Sequence, residues 1–450
     1  MSKLFGTDGV RGIANVNPMT AEMALAIGRA TAYVCKRHDK RHRIVIGKDT
    51  RLSCYMIENA LTAGICSMGV DVFLLGPVPT PGTAYITQSM RADAGIVISA
   101  SHNPYHDNGI KIFTRDGYKL SYKLEEEIEE IIESGRINDI RPTADEIGRA
   151  KRIDDAIGRY IVFCKQSFPQ QLTLDGMKIV LDCSNGATYK VAPIVFQELD
   201  AEVTAIHNTP NGLNINDNCG SQHTGDLRAA VLASGADVGL AFDGDGDRLI
   251  AIDEKGNELD GDHIMAICAR HMLAQGTLGG NRVIITPMSN FGLRMAFDDM
   301  GIAHEEADVG DRNVLELMQR RGATLGGEQS GHMIFLNHHT TGDGIISALQ
   351  LLAILKQSGK PLSELAKGFQ PAPQKLVNID VPAKPPLESI PAIQAAEQAA
   401  RAELGKRGRT LIRYSGTQSM CRVMVEGPDQ AMVDRLTAML VETVRGELCT

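Results

Sequence analysis

Between two apolar runs the chain reads VGLAFDGDGDRLIAIDEKG, with carboxylates at Asp243, Asp245 and Asp247 separated only by glycines. Like charges this close repel unless a cation sits among them, and glycine lets a tight backbone turn three oxygens toward one point. A hard divalent ion, Mg2+, takes such oxygen ligands. An acidic hairpin turn would use the same residues without a metal, but three aspartates with only glycine between them make that arrangement costly. A calcium-binding helix–loop–helix is the other reading, because Glu254 stands at the twelfth place of that loop pattern. It fails because Arg248 occupies the place that needs glycine and the flanks read as strands rather than helices.

A second stretch, GIVISASHNPYHDNGIKIF from Gly95 to Phe113, brings Ser99, Ser101, His102 and Lys111 to one turn-rich loop at the end of an apolar strand. A hydroxyl beside an imidazole suits a nucleophile and its base, and a hydrogen-bonded turn explains the pair equally well. Acyl transfer is disfavoured because no G-x-S-x-G elbow surrounds Ser101. With a metal site elsewhere in the chain, a serine that carries a phosphoryl group is the better idea. LGGEQSGHMIF offers Glu328, Ser330 and His332 at alternate positions of a loop entering a strand, which would place them on one face to read hydroxyls. A glycine-rich structural turn is the alternative. RYSGTQSMCRVMVEG sets Arg413, Ser415, Thr417 and Arg422 around Gly416 between two strands. Guanidinium groups grip phosphate oxygens in pairs, and hydroxyls and backbone N–H groups complete a phosphate cradle.

These loops need a scaffold, and the hydrophobic pattern supplies one. RIVIGKD, a segment of helical spacing from Met56 to Met68, and GVDVFLLG form a strand–helix–strand unit. The pattern returns as MKIVLDCSNG, YKVAPIVFQEL and AEVTAIHNTP, and again as NRVIITPMSN, GLRMAFDDM and GIAHEEADVG. The pattern predicts three α/β domains at 1–155, 156–258 and 259–370. The Pro-rich QPAPQKLVNIDVPAKPPLESIP reads as a linker into a smaller α+β domain, 371–450, with a helix over LESIPAIQAAEQAARAELG, strands RTLIRYS and CRVMVEG, and a helix from Pro428 with that proline in its first turn. At 450 residues the chain exceeds a single core, since cores stop growing near roughly 250–300 residues.

A net charge of −9 argues against a wide basic face for nucleic acid, so an anionic ligand must be held locally. Nine scattered cysteines without a C-x-x-C pair suit free thiols in a reducing compartment. The start MSKLFGTDGV has no apolar leader, and no run of about eighteen apolar residues occurs. The expectation is a cytoplasmic protein that needs no membrane.

LFGTDGVRG, SASHNP, DGDGDR, GGEQSGH followed by TTGDG, and the C-terminal SGT loop together resemble the α-D-phosphohexomutase superfamily, in the family's order across the whole chain. LFGTDGVRG with GGEQSGH points to its glucosamine branch. The resemblance implies four domains around a central cleft, three of them related α/β units. It implies that Ser101 is a phosphoserine and that Asp243, Asp245 and Asp247 bind Mg2+ together with the Ser101 phosphate. Glu328 and Ser330 match the sugar-hydroxyl loop. Arg413, Ser415, Gly416, Thr417 and Arg422 match the loop that grips the non-reacting phosphate, and Arg11, His102, Lys111, Arg248 and His332 fall on positions lining the active site.

The implied reaction interconverts glucosamine 6-phosphate and glucosamine 1-phosphate through a 1,6-bisphosphate, supplying the amino-sugar precursor of UDP-N-acetylglucosamine for cell-wall synthesis. Lys111, His102 and His332 are candidates for moving the hydroxyl proton. The implied partner is a phosphorylated hexosamine, with a homodimer left open. One departure is Gln418, where the family usually has Glu after S-G-T. The alternatives are the sister phosphomannomutase/phosphoglucomutase branch, a phosphosugar hydrolase, and a Ca2+-responsive binding module; the second phosphate cradle is unnecessary for the hydrolase and meaningless for the Ca2+ switch.

Overall fold

The computed structural model describes residues 4–6, 8–36, 41–414 and 419–449. They form two compact units, Met1–Met288 with Ile302–Lys367, and Ser289–Gly301 with Gly368–Thr450. Three sheets lie in the first unit and share one four-strand plan. A first strand (Arg43–Lys48, Lys178–Asp182 or Arg282–Ile285) has the second strand parallel on one side (Asp71–Pro77, Glu202–Ile206 or Ala303–Glu306). On its other side lies a third parallel strand (Ala94–Ile98, Val238–Phe242 or Leu325–Gly327). A fourth then returns antiparallel to the third (Asp107–Thr114, Leu249–Asp253 or Met333–Phe335). The internal repeat seen in the sequence is therefore a repeat of topology. The three loops that carry the Ser, Asp and Glu motifs occupy the same place in it, the turn from third to fourth strand.

The physical cause is legible in composition. Ala94–Ile98 and Val238–Phe242 are buried at every residue, as expected for parallel strands covered on both faces, so they read as unbroken apolar runs. Ile44, Ile46, Ile96 and Ile98 pack with Ile27, Ile57 and Leu61 in the first core, each burial contributing about 1.5–3 kcal/mol. Helix starts are set by side chains: Thr20 accepts the Met23 N–H, and Asp343 accepts those of Ile345 and Ile346, both at 3.0 Å. The first sheet is extended by Val10–Ile13 at one edge, paired with Asp107–Thr114, and by Ala150–Arg152 at the other.

In the second unit Met420–Glu426 is the middle of three antiparallel strands, between Gln374–Asp380 and Arg409–Tyr414, with helices Pro391–Leu404 and Gln430–Leu448 packed around one apolar core. Three α/β sheets and this α+β unit make the four-domain architecture. Two local expectations need correction. The Pro-rich segment is not only a linker: its middle is strand Gln374–Asp380, an edge strand whose half-exposed pattern hid it and whose flanking prolines lie outside the ladder. Pro428 precedes the last helix instead of starting it, because Asp429 is the cap and accepts the Met432 N–H at 2.9 Å. No helix among the described residues is long and apolar enough to cross a membrane.

Candidate active site

Ser101 sits at the turn after Ala94–Ile98, buried, with φ at +52°. That conformation costs a non-glycine residue free energy, so it must be held from outside. Ser99 Oγ accepts the Ser101 N–H at 2.9 Å. The Ser101 carbonyl accepts from Arg51 at 3.2 Å and from Asn216 at 2.9 Å, and both donors also reach the Asn103 carbonyl. Arg51 is itself wholly buried and paired with Asp49. Neither Arg51 nor Asn216 belongs to a motif singled out above; they act on backbone atoms, which leaves no side-chain signature.

The Ser101 hydroxyl donates to Asp243 Oδ2 at 2.6 Å. Asp243, Asp245 and Asp247, all buried, bring one carboxylate oxygen each within 4.8 Å of the others. Two glycines make the approach feasible. A Cβ on Gly244 would lie 2.6 Å from the Ser101 carbonyl oxygen, and Gly246 has φ of +72°. The flanks of this loop are strands, and Glu254 bonds to Ser363 instead, which removes the calcium-loop reading.

Lys111, on the returning strand, reaches Asp245 at 2.9 Å, Asp8 at 3.3 Å and Asp247 at 3.6 Å. Burial alone would drive its proton off, but these carboxylates, Asp245 foremost, raise its pKa. Thr80 donates to Asp245 at 2.7 Å. Asp243 has neither a lysine nor a threonine: burial and then Asp247 and Asp245 push its carboxyl well above the usual range. A cation among the three carboxylates would let Asp243 ionise as well. Asp245 Oδ1 and Asp247 Oδ1 are buried without a hydrogen-bond partner, as ligand oxygens facing a cation would be.

His332 Nδ1 lies 3.6 Å from Asp247, and His332 Nε2 3.6 Å from Asp311. Burial opposes its protonation, yet Asp247 and Asp311 raise its pKa. His102 behaves oppositely. Its Nδ1 is 3.3 Å from Ser101 Oγ, and burial together with Arg248 and Arg11 lowers its pKa to about 4. Arg11 pairs with Asp8 and donates to the Ala100 carbonyl at 3.4 Å, while Arg248 Nε stands 3.9 Å from Asp247. Asp8, Lys119 and Asp311 were missed by sequence reasoning, although Asp8 lies inside the quoted LFGTDGVRG. Lys119 pairs with both Asp8 and Asp311 and closes a network that joins the first and third repeats.

Glu328, Ser330 and His332 do not alternate along a strand. Residues 328–332 form a turn, with Gly331 at φ of +91°, the Glu328 N–H donating to the His332 carbonyl at 2.9 Å and the Gly331 N–H to the Glu328 carbonyl at 3.0 Å. Glu328 accepts the Gly310 N–H at 3.1 Å. Ser330 Oγ is buried without a partner, as are Arg11 Nε, Arg248 Nε and His332 Nε2. Each such atom costs about 1–3 kcal/mol if nothing binds it, so their gathering on the Asp and Glu loops and on strand Val10–Ile13 marks a polar ligand site.

In the second unit, Arg413 and Arg422 stand directly opposite each other on paired strands. Burial and then Arg422 lower the Arg413 pKa, and Arg422 Nε is buried without a partner. Like charges in register are unfavourable in a sheet unless an anion joins them. Ser415, Gly416, Thr417 and Gln418 lie outside the described residues.

Four domain profiles of the phosphoglucomutase/phosphomannomutase family match the chain: alpha/beta/alpha domain I over residues 2–138, domain II over 158–256, domain III over 260–372 and the C-terminal domain over 376–443. A phosphoglucosamine mutase of Syntrophus aciditrophicus is 57% identical over 448 residues, 100% of both chains. Another of Geobacter sp. strain M21 is 60% identical over 430 residues, 96% of this chain and 95% of that one. Among solved structures, a phosphoglucomutase/phosphomannomutase family protein from Burkholderia thailandensis superposes with a TM-score of 0.81 at 23% identity, covering 99% of this chain and 97% of that one. An Aspergillus fumigatus N-acetylphosphoglucosamine mutase in complex with GlcNAc-6P and magnesium gives 0.68 at 16%, covering 98% and 95%.

Proposed function

Because the chain belongs to the phosphoglucomutase/phosphomannomutase family, we infer that it is an intramolecular phosphotransferase, a phosphoglucosamine mutase interconverting glucosamine 6-phosphate and glucosamine 1-phosphate. Full-length identity of 57–60% to mutases of that name supports the hexosamine over glucose or mannose. The observation that carries the chemistry is the Ser101 hydroxyl bonded to Asp243, one of three clustered buried carboxylates, with Asp245 Oδ1 and Asp247 Oδ1 left without a hydrogen-bond partner.

In this reading Asp243, Asp245 and Asp247 hold Mg2+ together with the phosphate of phospho-Ser101. The ion supplies neutralisation of phosphoryl oxygen charge. Phosphoryl transfer otherwise asks for position and electrostatics. Arg51, Asn216 and Ser99 fix the Ser101 backbone so that its Oγ cannot wander. The O1–P bond of the sugar forms as the Oγ–P bond of Ser101 breaks, giving the 1,6-bisphosphate. After the sugar reverses, the phosphoryl group at O6 returns to Ser101. Of the three candidates for the hydroxyl proton, Lys111 and His332 have their pKa raised by carboxylates, whereas burial with Arg248 and Arg11 lowers that of His102, which is adjacent to Ser101 Oγ. His102 is therefore assigned as acceptor, with Lys111 and Arg11 as fixed positive charge. Glu328, Ser330 and Arg248 bind sugar hydroxyls. Arg413 and Arg422, with Ser415, Gly416 and Thr417, bind the phosphate that is not reacting. Domain boundaries at 155, 258 and 370 give each of the four parts one loop of this machinery.

Purified protein incubated with glucosamine 6-phosphate, Mg2+ and a trace of sugar 1,6-bisphosphate should yield glucosamine 1-phosphate. Release of inorganic phosphate instead would make it a hydrolase. A higher kcat/KM for mannose or glucose 6-phosphate would move it to the sister branch.

A further inference from the structure

The second repeat carries another group of ligating side chains that the mutase reaction does not use. Asp182 ends strand Lys178–Asp182, His207 follows the parallel neighbour Glu202–Ile206, and Cys219 precedes the short turn Gly220–Gln222. One ligand atom from each lies within 4.8 Å of the other two. We propose that Asp182, His207 and Cys219 form a second metal site, for a borderline-soft divalent cation such as Zn2+, separate from the aspartate loop.

The donor set is the first reason. Nitrogen, sulfur and one carboxylate oxygen select a transition metal of the zinc type, whereas the all-oxygen aspartate loop suits a hard ion. Geometry is the second. His207 Nδ1 is buried and 3.1 Å from Asp182 Oδ2, without a hydrogen bond of regular geometry between them, so the two ligand atoms face each other where an ion would join them. Its other nitrogen, Nε2, lies 3.3 Å from Asp226 Oδ2. A carboxylate on the far nitrogen of a ligating histidine fixes the ring and the tautomer that leaves the near nitrogen free for metal. Asp182 is oriented in turn by the N–H groups of Ser184 at 2.8 Å and Gly220 at 2.9 Å.

Charge is the third reason. On binding, the Cys219 S–H bond breaks, its proton leaves to solvent and the sulfur–metal bond forms. His207 binds through Nδ1 as the neutral ring with its Nε2–H toward Asp226, and any proton held on Nδ1 leaves to solvent with that of the thiol. Thiolate and carboxylate then balance the dication, so the buried site becomes neutral overall. Cys219 is only 1% exposed, which shuts out a bulky electrophile but not an ion. The partly exposed His207 gives the ion its way in.

The test uses the full-length protein, stripped with a chelator, dialysed, supplied with excess Mg2+ to fill the aspartate loop, and titrated with Co2+ alone. A thiolate-to-cobalt charge-transfer band should grow to stoichiometric saturation in the wild type and vanish on stoichiometric Zn2+. Cys219→Ala should lose the band, and His207→Gln should lose or weaken it, with folding of both checked by circular dichroism. Absence of the band in wild-type protein overturns the proposal and requires no variant. A band of full intensity in either folded variant overturns it as well.

Discussion

The aspartate loop of the first unit and the arginine pair of the second are electrostatic opposites. At 243–247 three buried carboxylates crowd one point, and Asp245 Oδ1 and Asp247 Oδ1 have no hydrogen-bond partner. At 413 and 422 two guanidinium groups stand in register across a strand pair, where like charges repel. Phosphoryl transfer to a sugar phosphate needs both, a cation where the bond changes and an anion clamp where it does not. The two also differ in construction. The aspartate loop depends on partners far away in sequence, Ser101, Lys111, Thr80 and His332, and so tolerates little change. The arginine pair is set by the register of two neighbouring strands, so its loss should weaken binding without dismantling the surroundings.

The largest effect should come from Ser101→Ala, which removes the phosphoryl acceptor and should cost roughly 10³-fold or more in kcat. Intact mass should show a phosphoryl group on part of the wild-type protein and none on the variant. Full turnover without it would break the assignment of the first region. Asp245→Asn should follow, lowering kcat about 10²–10³-fold by loss of charge neutralisation and shifting the Mg2+ requirement upward. Titration of activity with Mg2+ checks this, and turnover that persists in excess chelator would remove the metal from the comparison.

Arg422→Ala and Arg413→Ala should each cost about 1.5–3 kcal/mol in kcat/KM, roughly 10–100-fold, as charge-assisted bonds to phosphate do. Most of the change should appear in KM. Thermal melting sharpens the contrast, because removing one of two facing cations should leave the midpoint unchanged or slightly higher, by less than about 1 kcal/mol in stability. A strongly lowered midpoint would mean that the arginines are structural. The smallest effect is expected for Ser330→Ala. Its unpartnered hydroxyl should contribute about 0.5–1.5 kcal/mol to sugar binding, read as a severalfold rise in KM with the melting midpoint of the free protein unchanged or higher.

Much of the site was legible because its residues cluster in short strings. DGDGDR shows its chemistry in the spacing of acid and glycine, and an unbroken apolar run such as AGIVI announces a strand buried on both faces. The βαβ repeat was visible for the same reason, since periodicities of side-chain burial are local. Legibility failed where geometry overrode pattern. Alternation at Glu328, Ser330 and His332 in a loop entering a strand suggested one shared face, but Gly331 bends that loop into a turn. Strand Gln374–Asp380 hid among prolines because an edge strand needs only part of its ladder. Asp429 took the capping role from the neighbouring proline.

What the sequence determined by itself was the kind of chemistry at each loop: carboxylates for a cation, a hydroxyl beside an imidazole, guanidinium groups for phosphate. The tertiary structure alone decided how charge is shared among them. Lys111 is held protonated because Asp245, Asp8 and Asp247 arrive from distant segments, and Lys119 links Asp8 to Asp311 across two repeats. Arg51 and Asn216 hold Ser101 through carbonyl oxygens that every residue possesses. Asp182, His207 and Cys219 meet only when two parallel strands and a long loop are in place. A residue type states which charge or donor is available, but Coulomb energy and hydrogen bonding depend on distance through space, and distance between residues far apart in the chain exists only in the fold.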